Sequence, residues 1–154
     1  MILAITTMVL SIFALYFSPK HLSKIEIYSS TFFALYIQVL TDMYLDLKLD
    51  LFGYFTKGAN WRTLPFMIIV YSSVSFLFLN FFPFRKCITK QIIYVLGWSI
   101  FATVYEILAV HTNLFYYHAW KWWYSAIIYP FLFLILVMNL KLIRKFIGQF
   151  KMRG

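Results

Sequence analysis

In a chain of 154 residues, 63% are hydrophobic and 12% charged, about half the charge a soluble domain uses to cover its surface, which excludes a soluble globular protein. The net charge of +9 has no water-facing basic module to carry it, which excludes a nucleic-acid footprint. The single Cys87 excludes an intrachain disulfide and any multi-cysteine metal or iron–sulfur site.

Apolar runs recur that are long enough to cross a hydrocarbon core of about 30 Å at about 1.5 Å per helical residue. They predict an all-α polytopic membrane protein, a bundle of about five transmembrane helices in a single domain over residues 1–154. The first span, about 2–18, lacks a basic leader and a small-residue cleavage site, so it reads as a membrane helix; Pro19 stops it. The second covers about 25–47. The connection 48–62 reads as a loop containing Gly53 and Gly58. The third span, about 63–82, has Pro65 in its first turn and ends before Pro83, and the fourth covers about 91–110. The fifth, about 120–140, contains Pro130, which predicts a kink. The basic tail 141–154, "KLIRKFIGQFKMRG", either continues that helix or lies on anionic inner-leaflet lipid.

Basic residues decide the predicted orientation, because basic loops stay in the cytoplasm. With the N-terminus outside, the inner segments hold ten of the Lys and Arg residues and the outer segments hold four: Lys48, Lys57, Arg62 and Lys121. The N-out, C-in arrangement follows. It puts "WKWWY" at the outer rim of the fifth span, with Trp120, Trp122 and Trp123 as interface anchors and Lys121 extending its amine toward water.

Three of the five acids stand in "TDMYLDLKLD": Asp42, Asp46 and Asp50. Their four-residue spacing places them on one helix face, continued by Gln38, Ala34 and Ser30. A charged residue within a span costs about 2.5–3.5 kcal/mol at the bilayer centre, so this seam is expected to face other helices or a wet cavity. On the fourth span, Ser99, Ala102, Thr103 and Glu106 form a similar seam, with His111 just beyond. Asp42, Asp46, Glu106, His111, His118 and Lys121 therefore form the candidate polar cluster, near the outer boundary. For Asp42 and Glu106 two readings stand: an interhelical pair with Lys121 or Lys48 as the cation, or a site for a proton, a metal or a cationic substrate. Ligand spacing supports neither a metal centre nor a cofactor. The small residues Ser72 and Ser75 and the amide of Asn80 on the third span read as packing contacts.

These observations admit a structural or accessory membrane protein, a small proton- or cation-coupled transporter or channel subunit, or a metal-dependent enzyme acting on a lipid or diphosphate. The partners expected are membrane lipids and other membrane proteins or further copies of the chain, with no nucleic acid. The Asp42, Asp46 and Asp50 triplet resembles part of the aspartate motifs of intramembrane prenyltransferases and CDP-alcohol phosphotransferases, which would imply Mg²⁺ held against a diphosphate, but it lacks their Asn-Asp or Asp-Gly-Ala-Arg portions and a second aspartate motif. Glu106 followed by "HTNLFYYHAWKWWYSAIIYP", together with the Asp42 and Asp46 region and the five-span layout, resembles a family of small integral membrane proteins of endospore-forming Firmicutes. That resemblance implies a bacterial cell membrane and supplies no reaction and no catalytic residue.

Overall fold

The structure is a computed structural model that describes residues 2–42, 44–45, 51–54, 63–112 and 114–151, with the side chains of residues 42, 52–54, 63, 150 and 151 outside the description. Its five helices are α1 (Ile2–Phe17), α2 (Lys24–Asp42), α3 (Thr63–Asn80), α4 (Ile88–His111) and α5 (Trp122–Lys151). Two of them, α4 and α5 over Trp122–Gln149, are long and apolar enough to cross a membrane, whereas α1 and Leu64–Asn80 of α3 are apolar but shorter. At about 1.5 Å per residue, the 16 residues of α1 span about 24 Å and the 24 of α4 about 36 Å. The five-span expectation thus reduces, on length and hydropathy, to two helices.

Two of the helix boundaries are fixed by side-chain hydrogen bonds. Ser23 and Glu26 form a capping box at the start of α2: the Ser23 N–H donates to Glu26 Oε2 at 2.7 Å and the Glu26 N–H to Ser23 Oγ at 3.3 Å. At the end of α3, Asn80 Nδ2 donates to the Pro19 carbonyl at 2.7 Å, and its Oδ1 accepts the His21 N–H at 2.8 Å. One amide thereby satisfies the turn between α1 and α2, a backbone stretch where Pro19 removes a donor of its own. Of the two expectations for the tail, the helical one is observed, since α5 runs through Pro130 to Lys151.

Packing pairs α1 with α3, α3 with α2, α2 with α5, and α5 with α4. These contacts arrange the helices as a ring, in which α1 and α3 end side by side where Asn80 meets the Pro19 carbonyl. Between α4 and α1 the ring is joined by a side-chain bond, Tyr105 Oη donating to Thr7 Oγ1 at 2.9 Å. One half of the interior is filled by aromatic residues. Phe78 is wholly buried, and its ring centroid lies 4.5 Å from Phe133, 5.6 Å from Tyr94 and 5.9 Å from Trp98. Tyr94 Oη donates to the Phe78 carbonyl at 3.0 Å, tying α4 to α3 at this level.

Two short strands cross the opposite end. β1 (Phe52–Tyr54) lies in the connection between α2 and α3, and β2 (Phe115–Tyr117) in that between α4 and α5; they pair antiparallel, Phe52 opposite Tyr117 and Tyr54 opposite Phe115. The Leu51 carbonyl then accepts the N–H groups of His118 and Trp120 at 2.9 and 3.0 Å, which turns the chain back toward α5. Outside the ring, Ile93, Ile100 and Leu108 of α4 and Phe131, Leu134 and Met138 of α5 are exposed, as are Val9, Leu10 and Phe13 of α1. Apolar faces of this extent mark a surface that meets lipid or another protein.

Candidate functional site

Glu106 lies on the inward face of α4, one turn before its end, and is 7% exposed. A carboxylate offers about four lone-pair sites. Three are taken by hydroxyl donors: Tyr117 at 2.5 Å and Ser125 at 2.7 Å on Oε1, and Tyr129 on Oε2. Tyr117 comes from β2, so the strand pairing positions it. Ser125 and Tyr129 are four residues apart on α5 and therefore share the face turned to α4. Trp120 Nε1 donates to Ser125 Oγ at 2.8 Å, which extends the network to the rim. Burial, followed by the neighbouring Glu106 carboxylate, pushes the Tyr117 phenol well above its ordinary range, so it remains a donor.

This network forms one wall of an internal cavity of about 530 Å³. Its other polar lining includes Thr7 of α1, Gln38 and Thr41 of α2, and Tyr71 of α3, set among apolar side chains such as Phe66, Ala102 and Leu132. Trp98 and Phe133 belong to both the cavity wall and the aromatic half of the interior, so the cavity ends where the aromatic residues begin. Leu10 of α1 and Phe101 of α4 also line it, yet they are 63% and 59% exposed. The cavity therefore reaches the outside of the ring between α1 and α4.

The structure distributes the sequence-derived candidates unevenly. Glu106 is at the centre of the network. Asp42 ends α2 at the same end of the ring, but its carboxylate lies outside the described residues, as do Asp46 and Asp50. His111 is exposed, with Nδ1 2.8 Å from the Ile107 carbonyl of its own helix, and His118 and Lys121 are exposed on the turn into α5. Among the described residues, no group of three His, Cys, Asp or Glu side chains is placed to hold a metal ion. Trp122 and Trp123 point outward, whereas Trp120 is half-buried and bonded to Ser125. The α2 seam faces inward: Ser30 and Ala34 are buried and Gln38 lines the cavity.

The α4 seam divides. Ser99 and Thr103 are buried, but their hydroxyls donate to the Val95 and Ser99 carbonyls at 2.8 and 2.9 Å, and both line a separate groove beside Ala126 and Pro130. They do not continue a polar route below Glu106.

Tyr117, Ser125 and Tyr129 are not among the sequence-derived candidates. A four-residue step of hydroxyls on the fifth span marked the last two; nothing in the local pattern marked Tyr117, which depends on long-range strand pairing. Glu26 is not among them either; its Oε1 accepts from Arg144 Nε at 2.6 Å, with the Arg144 guanidinium 4.3 Å from the Phe84 ring centroid. The S-x-x-E capping pattern at Ser23 was the available signal.

Compared with protein families, curated proteins and solved structures, the chain matches none.

Proposed function

We propose that this chain is a five-span protein of a bacterial cell membrane that binds a small lipophilic ligand in the Glu106 cavity. The observation that carries the reading is a cavity of about 530 Å³, open between α1 and α4, with mostly apolar walls and convergent polar groups, the form small-molecule sites take between helices. Five spans are supported by the exposed apolar residues on the short α1 as well as on α4 and α5. A bilayer thinned locally around short helices accommodates them at modest cost.

The bacterial location rests on the sequence resemblance. An N-out, C-in orientation is supported by Lys20, Lys24, Arg85, Lys86, Arg144 and Lys145. They gather at the end of the ring where Asn80 meets Pro19 and Arg144 meets Glu26. The cavity then opens near the bilayer midplane, since Leu10 and Phe101 lie midway along α1 and α4.

Saturable binding of the neutral dye Nile red to the full chain in lipid nanodiscs tests this reading. Ala102→Phe, which places a ring in the cavity, should abolish that binding while leaving the helical circular dichroism unchanged. Equal binding by both proteins would overturn it.

A structural role, in which the chain assembles with other membrane proteins or with a second copy, is the second reading. It is supported by the groove between α4 and α5, where the small residues Ser99, Thr103 and Ala126 permit close helix approach. Crosslinking in native membranes that returns a discrete complex, lost on Ala126→Leu, would favour it.

A further inference from the structure

We infer that the ligand of the Glu106 cavity is a lipophilic organic cation, an alkylammonium-type group on an apolar body; this rests on the cavity being a binding site. Charge is the first argument. Among the described residues, the groups bonded to Glu106 are all neutral hydroxyls and no Lys, Arg or His is ion-paired with it. Among the described residues Tyr129 is the one hydroxyl donor to Oε2, and a carboxylate oxygen accepts more than one such bond. A carboxylate in low-dielectric surroundings attracts a cation strongly and repels an anionic headgroup.

The rings around it are the second argument. Tyr71, Tyr105, Tyr129, Trp120 and Phe115 line the same cavity. Aromatic faces attract a cation within about 6 Å of the ring centroid, and cages of this composition suit alkylated ammonium groups. A metal ion or a simple ammonium is held in water by a hydration shell, and the apolar side chains that make up most of this lining do not replace it. An alkylated cation carries its charge under carbon and loses little on leaving water.

Access is the third. The opening lies between α1 and α4, where the exposed Leu10 and Phe101 border both the cavity and the outside of the bundle. A ligand arriving there comes from the acyl region, which selects for an apolar body.

The test is displacement of Nile red from the full chain in nanodiscs by decyltrimethylammonium and by decanol, which share one apolar body and differ in charge. The cation should displace the dye at an at least about tenfold lower concentration than the alcohol. Glu106→Gln should bring the two midpoints together, and Glu106→Asp, which keeps the charge, should retain the preference. Equal midpoints in the unmodified protein would overturn the inference while leaving the cavity reading intact. A preference that persists in Glu106→Gln would overturn it too. Nile red that fails to bind the unmodified protein at all would remove both.

Discussion

The bond between Glu106 and Tyr129 joins α4 to α5 inside the bundle, and a double-mutant cycle on it measures whether the network exists. Glu106→Gln keeps the volume and one carbonyl acceptor but removes the charge, while Tyr129→Phe removes one donor and keeps the ring. Polar side-chain pairs in membrane bundles couple by about 0.6 kcal/mol on average and about 1.7 at most. Hydrogen bonds to an ionised acceptor are roughly twice as strong as neutral ones. A coupling of about 1–2 kcal/mol is therefore expected for this pair.

Glu106→Ala should cost more than either single change, about 2–4 kcal/mol, because several donors lose their acceptor together and each one left buried and unsatisfied costs about 1–3 kcal/mol. Tyr117 lies near the rim and can rehydrate, and Ser125 can turn to the carbonyl one helical turn back, so Tyr129 should carry most of the penalty. Reversible unfolding in mixed micelles, followed by tryptophan emission, reads all of these values. Additivity of Glu106→Gln and Tyr129→Phe within about 0.3 kcal/mol would refute the contact.

At the far end of the ring, Ser23→Ala should lose about 1 kcal/mol through the α2 cap, measurable in the same unfolding assay. Glu26→Gln should weaken the hold of α2 on the last turns of α5, seen as faster amide exchange around Arg144. Phe78→Ala should cost about 3–5 kcal/mol, because the ring is wholly buried among other aromatic side chains. The exposed Cys87 follows α3, at the basic end of the ring, so a membrane-impermeant maleimide should label it in inverted vesicles and not in right-side-out ones. The opposite labelling pattern would reverse the orientation.

Helices were legible in the sequence because lipid-facing and core-facing positions are both apolar, and that composition admits no competing structure for the runs concerned. Their ends were legible where proline intervened, as at Pro19 and Pro83, and less so for the second span, expected to reach residue 47 where α2 ends at Asp42. Glu106 stood out as an acid in an oily helix, but its partners did not. The sequence offers Glu106 a pair with Asp42, with Lys121 or Lys48 as the cation, or a site for a proton, a metal or a cationic substrate. Described hydroxyls from β2 and α5 surround it and Lys121 is exposed, while Lys48 and the Asp42 carboxylate lie outside the described residues. Tyrosine in a membrane sequence reads as an interfacial anchor, so Tyr117 carried no separate signal and Tyr129 only its four-residue step from Ser125. Trp120 was grouped with Trp122 and Trp123 for the same reason. The turn set by the Leu51 carbonyl, a contact made across the sequence, separates it from them.

Glu26 and Glu106 are the two glutamates of the chain, so protein labelled with ¹³C-glutamate gives one carboxyl resonance for each. Solid-state NMR in nanodiscs should show one of these resonances correlated with tyrosine ring carbons, with the correlations lost on Tyr117→Phe and Tyr129→Phe, and should show that same resonance shifting when decyltrimethylammonium is added. Two carboxyl signals that both lack tyrosine contacts, or a shift confined to the Glu26 resonance, would contradict a ligand site built around Glu106.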